Sequence, residues 1–201
     1  MNKGLMIVIS GPAGSGKGTV MRHLLETGDF AYSVSATTRA PREGEVAGVN
    51  YHYITREEFE SRLASGGMLE YTEYCGNYYG TPKKEADQVL SSGKNLILEI
   101  EVEGAINIKN RFPEAVLIML LPPSFKTQEK RLRDRGTETE EKIVERLERT
   151  KVEIEKSDYY DYVVYNRDNA DDIAASEILA IVTAEKRAMR RNVRPAQIYF
   201  D

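Results

Sequence analysis

Short apolar runs separated by longer stretches of helical periodicity organise this chain of 201 residues. Leu5–Ile9, Leu96–Ile100 (Leu-Ile-Leu-Glu-Ile), Ala115–Leu121 and Tyr162–Tyr165 read as strands buried on both faces. Between them, Val20, Met21, Leu24 and Leu25 recur at helical spacing. Thr55-x-x-Glu58 predicts a capped helix start ahead of Phe59 and Leu63. Thr81-Pro82 predicts a second start, with proline at the first helical position and Gly93 at the close. Ser124 predicts the cap of a helix that ends at Gly136. Ile143, Leu147, Thr150 and Ile154 trace one face of a further helix. The segment from Asp171 to about Arg190 is amphipathic around Ile173, Ile178, Leu179 and Val182. Such alternation predicts an α/β fold, a three-layer core in which helices cover both faces of a parallel sheet. Two regions interrupt it: about Ser33 to Leu90, rich in Tyr, Thr and Gly, and about Pro122 to Ser157, rich in Arg and Glu.

The first apolar run leads directly into Gly11-Pro12-Ala13-Gly14-Ser15-Gly16-Lys17-Gly18-Thr19, followed by the first helical pattern. Strand, glycine-rich turn ending in lysine, then helix is the phosphate-cradling P-loop arrangement. Glycines let backbone N–H groups converge on phosphate oxygens, and the helix N-terminus favours anions. Lys17 adds a full positive charge where β- and γ-phosphates would lie. The strict motif has Ser or Thr directly after the lysine to hold Mg²⁺; here Gly18 occupies that position and Thr19 follows. Either Thr19 takes over a phosphate or metal contact, or the metal is held mainly by ATP and water.

Composition narrows the class. With 41% hydrophobic and 30% charged residues, the chain suits one substantial core or a core with two small lobes. A formal net charge of -4 argues against a broad nucleic-acid surface, though not against a local phosphate site. The basic stretch Arg187 to Arg194 reads as a solvated helix end. Cys75 is the sole cysteine, which excludes an intrachain disulfide, reads as a small packing residue and points to a reducing compartment. His23 and His52 lack metal-ligand spacing and read as structural. No apolar run approaches the roughly 20 residues of a membrane span, and the first is too short for a signal-peptide core. A cytoplasmic protein is expected.

The interrupting regions carry further candidates. Arg39 and Arg42 lie three apart around Pro41, a pair able to clamp one phosphate or simply to be solvated. Gly76-Asn77-Tyr78-Tyr79-Gly80-Thr81 places aromatics in a glycine-flanked loop, which suits a surface for a ring or phosphate, or packing between lobes. Within Leu96–Ile100, Glu99 is a charge in an apolar run, so Glu99 or Glu101 is a candidate acidic partner of Mg²⁺ unless it faces solvent.

Together these segments resemble guanylate kinase nearly end to end. The P-loop run is shared widely among phosphotransferases. Ser33-Val-Ser35-Ala-Thr37-Thr38-Arg39-Ala-Pro41-Arg42, Gly76-Asn-Tyr78-Tyr79-Gly80 and Arg135-Gly-Thr137-Glu-Thr-Glu carry the specific likeness. The resemblance implies one domain: a core (1–32, 91–121, 158–201), a GMP-binding lobe (33–90) and a mobile lid (122–157). It implies that Arg39 and Arg42, with Tyr51 and Tyr79, bind the GMP phosphate. Glu70 would face the guanine edge, and the hydroxyls of Ser35 and Thr81 would serve the base's carbonyl. One carboxylate can accept both N1–H and the 2-amino group of guanine, whereas adenine has no such donor pair.

Where the family has Asp-x-Asp this chain has Glu99-Ile-Glu101, which keeps the charge and moves it by about one methylene. Similarity implies Glu99 near the metal, with Thr19, and Glu101 near GMP. Arg131, Arg135 and Arg146 would reach ATP's phosphates, and Asn166 would touch adenine. The implied reaction is direct phosphoryl transfer from MgATP to GMP, with dGMP as a further acceptor, and without nucleic-acid or membrane partners. Two rivals stand beside it: a non-catalytic module of the same fold that binds a protein in its cleft, and a kinase for another small phosphate acceptor. An intact Gly16-Lys17 and arginines in both inserts disfavour the first; Glu70 with Gly76–Thr81 disfavours the second.

Overall fold

All four apolar runs pair side by side, with a fifth strand added, in the computed structural model, which describes residues 3–74, 76–136 and 138–192. Cys75 and Thr137, on which the lone-thiol reading and part of one family motif rest, lie outside the described residues, as does the basic stretch beyond residue 192.

In chain order the elements are β1 (Met6–Ser10), α1 (Lys17–Glu26), β2 (Phe30–Tyr32), β3 (Ala36–Thr37), β4 (His52–Tyr53) and α2 (Arg56–Ala64). Then come β5 (Met68–Tyr74), β6 (Asn77–Pro82), α3 (Lys83–Ser91), β7 (Asn95–Glu99), α4 (Val102–Arg111) and β8 (Val116–Leu121). The rest is α5 (Phe125–Asp134), α6 (Glu140–Glu155), a 3₁₀ turn (Ser157–Tyr159), β9 (Tyr162–Tyr165) and α7 (Asp171–Arg187).

The main sheet is parallel throughout, in the order β2-β7-β1-β8-β9. Its centre is β1, buried on both faces, which explains the unbroken apolar run. Ile7, Ile9, Ile118 and Leu120 meet α1 and α7 on one face; Met6, Val8, Leu98 and Leu117 meet α3 and α4 on the other. Alternate side chains of each strand thereby fill two cores. Register sets Ile9 beside Glu99 and Ser10 beside Met119, so the C-terminal ends of β1, β7 and β8 open at one edge. A smaller mixed sheet, β4-β3-β6-β5, is built from the first interrupting region, with α2 seating Phe59 against Ala36 and Met68.

Several expectations change. β2 is a strand that three residues with a single fully buried side chain, Phe30, could not announce. Thr81-Pro82 does not cap a helix: both end β6, α3 starts at Lys83, and the Thr81 hydroxyl donates to Glu70 instead. α3 packs Ala86 and Leu90 into the main-sheet core, where Leu69 of β5 joins them, so it bridges the two sheets. Ile173 is exposed, because α7 turns Ala174, Ala175, Ile178 and Val182 inward. Ile154 is likewise 41% exposed, one turn past the buried face of α6. The caps expected at Thr55 and Ser124 form, accepting from the Glu58 and Thr127 N–H groups. His23 bonds Asp171 at 2.6 Å across α1 and α7, and His52 bonds Glu85 at 3.2 Å, both structural as expected.

The exit from β1 is sterically fixed. Gly11 has φ 146°, and a β-carbon there would stand 2.1 Å from the Leu120 carbonyl oxygen of β8. Neither backbone can yield without breaking the β1–β8 pairing. Gly11→Ala is therefore expected to cost about 2–3 kcal/mol, roughly 5–10 °C in melting temperature, read by thermal unfolding. A variant melting with the parent would remove this constraint from the loop.

Candidate active site

Beyond β1, the P-loop wraps the start of α1. Gly16, at φ 84°, occupies the helix's N-cap position, and a β-carbon there would fall 2.3 Å from Nδ2 of Asn166. That amide donates to the Ser15 carbonyl at 2.9 Å, so Asn166 braces the loop from the end of β9. Its side chain is buried against the P-loop, at the position for which the family resemblance implies an adenine contact. The Ser15 hydroxyl and Asn166 Oδ1 are buried without hydrogen-bond partners, a polar floor beneath the loop.

Lys17 opens α1, and its ammonium donates to the carbonyls of Gly11 (2.7 Å) and Pro12 (3.2 Å). Burial pushes its pKa down, while Glu99, Glu153 and Glu101 pull it up. Burial also raises Glu99, with Lys17 opposing. The two therefore share one desolvated site, and Glu99 faces the cleft rather than solvent. Gly18 and Thr19 are exposed on the first turn, and nothing lies within 4 Å of where a Gly18 β-carbon would be.

A cleft of about 320 Å³ runs from Gly11 and Lys17 past Glu99 and Glu101 to the smaller sheet. There it meets Ser35, Arg39, Arg42, Tyr51, Tyr79 and Glu70, so most residues expected to hold GMP line one wall. Thr81 lies behind that wall, fully buried. Tyr51 and Tyr79 meet edge to face at 5.9 Å, and the Arg39 guanidinium sits 5.5 Å over the Tyr51 ring. Glu45, absent from the sequence-based assignment, is the hub of this wall. It accepts Arg39 Nη2 on both oxygens at 2.9 Å, the Arg42 N–H at 2.8 Å and the Tyr53 hydroxyl at 2.7 Å. These donors, Arg39 first, hold its carboxyl down at about 2. Its only sequence signal was an acid three residues past Arg42 in a glycine turn.

Glu70 stands in β5, 6% exposed, with Oε1 accepting from Thr81 Oγ1 at 2.8 Å. Burial pushes its pKa up to about 7, against the bonds from Thr81. A buried carboxyl whose Oε1 accepts from Thr81, at the end of a cleft lined by Lys17, Arg39, Arg42 and Arg146 together with four further glutamates, is suited to a ligand with paired N–H donors.

The arginines of the second interrupting region separate. Arg146 lines the cleft and donates to Glu138 at 2.6 Å. Arg131 lies against the P-loop, donating to the Asn166 carbonyl (2.9 Å) and Asp168 (2.7 Å). Arg135 is exposed at the end of α5 and is not among the cleft-lining residues. Two further residues were missed. Arg149 of α6 pairs with Glu101 and, at 3.1 Å, with Glu153, and Glu153 itself lines the cleft. Both sit in a helix whose alternating Arg and Glu read as a solvated face. Among the described residues, no group of three His, Cys, Asp or Glu side chains is arranged to hold a metal ion. No helix there is long and apolar enough to cross a membrane.

Known proteins with similar sequences and folds identify the family. The family described as guanylate kinase matches residues 3–184. The chain is 50% identical over 195 residues to the guanylate kinase of Bacillus subtilis, covering 96% of this chain and 94% of that one. It is 53% identical over 184 residues to that of Halalkalibacterium halodurans, covering 91% and 89%. The crystal structure of guanylate kinase from Anaplasma phagocytophilum superposes with a TM-score of 0.76 at 32% identity, covering 95% and 90%.

Glu70 makes stability depend on pH. Its folded pKa, about 7, lies above the ordinary 4.5, so the folded state binds the extra proton between those values. Stability from this group is present below pH 4.5 and is lost as pH rises through 7, by about 3 kcal/mol in all. Urea midpoints from pH 4.5 to 8 should fall more steeply for the parent than for Glu70→Gln. Parallel slopes would contradict the buried-carboxyl assignment.

Proposed function

The chain belongs to the guanylate kinase family, enzymes that phosphorylate GMP, and from that premise we propose that it transfers the γ-phosphoryl group of MgATP directly to GMP, and to dGMP, in the cytoplasm as part of purine nucleotide metabolism. The observation that carries the reading is a single cleft joining the P-loop lysine to an arginine–tyrosine pocket, with the buried Glu70 carboxyl at its far wall. P-loop residues 11–19 would take the donor's phosphates. Arg39, Arg42, Tyr51 and Tyr79 would take the acceptor's phosphate. Glu70 would accept guanine N1–H and the 2-amino group, with Ser35 and Thr81 alongside. Glu101 would adjoin the acceptor and Asn166 the adenine end.

The acceptor phosphate oxygen attacks the γ-phosphorus in line; a new P–O bond forms as the bond to the β–γ bridging oxygen breaks, and ADP departs. An oxygen nucleophile already present in GMP needs no covalent enzyme intermediate. The chain's contribution is position and charge: Lys17, Arg39, Arg42 and Arg146, joined by Arg131 and Arg135 when residues 122–157 close as a lid over the core and the GMP-binding lobe (33–90). Magnesium arrives with ATP as part of the substrate. The Glu99 carboxylate, which lines the cleft beside Lys17, would suit it, since Mg²⁺ keeps waters and needs only one or two protein oxygens beside the phosphates. Thr19, exposed on the first turn of α1, is not among the cleft-lining residues. Closure would also exclude water and spare ATP from hydrolysis.

Purified protein with MgATP and a panel of GMP, dGMP, AMP, CMP and UMP, read by coupled ADP release, tests this directly. GMP should lead, followed by dGMP. Lys17→Met should lower kcat by about 10³-fold while the melting temperature holds; full activity would refute its role. No ADP release with any of the acceptors would instead favour a binding module.

A further inference from the structure

Gly104 lies in the first turn of α4, in ordinary helical backbone, so no unusual φ requires glycine there. Glycine within a helix costs about 1 kcal/mol relative to alanine. Space provides the reason for it. A β-carbon at Gly104 would stand 3.2 Å from Oε2 of Glu70, with the Ile100 side chain 3.5 Å away. At that distance the carboxylate would have to shift by a few tenths of an ångström. It has little freedom to do so, because Oε1 is tied to Thr81 at 2.8 Å and the side chain is buried. α4 packs on the main sheet, whereas Glu70 belongs to the smaller one, so this contact sits at the seam between them.

We infer that Gly104 is a specificity-determining positioning residue: its missing side chain fixes where Glu70 presents Oε2 to the purine edge. The inference rests on the reading of Glu70 as the guanine acceptor. Two adjacent N–H donors must meet two oxygens at once, and hydrogen bonds weaken steeply once bent. A displacement too small to matter for packing is therefore felt in base selection, and the phosphate sites stay untouched.

Gly104→Ala tests it by steady-state kinetics and thermal unfolding. The expected result is a KM for GMP raised about tenfold and a GMP-over-AMP ratio in kcat/KM lowered about tenfold. kcat at saturating GMP and the KM for ATP should stay within about twofold, and the melting temperature should hold or rise, as helix propensity favours alanine. Gly104→Ala combined with Glu70→Asp, whose carboxylate is withdrawn by one methylene, should lose less than the product of the two single losses. An unchanged KM and ratio for GMP would overturn the inference. So would a drop in melting temperature with parallel losses in every parameter, or failure to fold, since each assigns the glycine to packing. Glu70→Gln separates the premise from the inference. If that variant keeps its GMP preference, the reading of Glu70 fails; if it loses the preference and Gly104→Ala does not, Gly104 alone is wrongly assigned.

Discussion

A desolvated ammonium at the open edge of a parallel sheet is the constraint around which this site is built. Lys17 is carried there by the central strand β1, and burial works against its charge. Ionised groups tolerate such places only when other groups balance them. The balance comes from three directions: Glu99 at the end of β7, Glu101 at the start of α4 and Glu153 on α6. Each sits where its element begins or ends, so the charge pattern of the cleft follows from the sheet order. The same logic governs the opposite wall. Arg39 is oriented by Glu45, which also gathers an Arg42 backbone N–H and the Tyr53 hydroxyl. In a partly buried cleft such fixed dipoles and charges act more strongly than they would in water.

In the proposed reaction the two sheets would divide recognition between them. Phosphate chemistry would belong to the P-loop and the parallel strands, where backbone N–H groups and a helix N-terminus converge. Base recognition would belong to the β5–β6 hairpin, where burial raises the Glu70 carboxyl to about 7 against the bonds from Thr81. A ligand offering two N–H donors would replace lost water for that group; a ligand offering none would leave it buried and unsatisfied. Selectivity would thus grow out of the same desolvation that makes Glu70 costly to the fold.

Much of this was legible in the chain, and the residues show why the rest was not. Three of the apolar runs, those of β1, β7 and β8, were visible because burial on both faces writes itself as continuous hydrophobicity. Tyr162–Tyr165, expected to be buried likewise, is the edge strand β9 and leaves Val163 and Tyr165 half-exposed. β2 has only Phe30 fully buried and left no comparable trace. Gly11, Gly16 and Lys17 were legible because the P-loop's spacing is imposed by sterics and charge together. Glu45, Glu153 and Arg149 were not, since an acid or base in a charged stretch looks the same whether it meets solvent or a partner far along the chain. Thr81 misled for a related reason: a hydroxyl before proline suits a helix cap, and only the fold shows that Glu70 claims it first. Ile173 matched the apolar period of α7, yet the helix turns it outward while Ala174, Ala175, Ile178 and Val182 face the core.

The Glu99-Ile100-Glu101 tripeptide shows how few residues join these functions. Glu99 ends β7 beside Ile9, and Glu101 is the residue from which α4 starts. The first meets the field of Lys17; the second reaches Arg149 on α6. Ile100, between them, stands 3.5 Å from where a Gly104 side chain would begin, and so helps to wall the space that Glu70 enters. A longer carboxylate at either flank changes reach without changing charge, and reach is what an ion pair across a cleft requires. The short segment from sheet to helix therefore carries on adjacent residues the contacts to the lysine and to the α6 arginine and the wall beside Glu70, so all three meet one stretch of backbone.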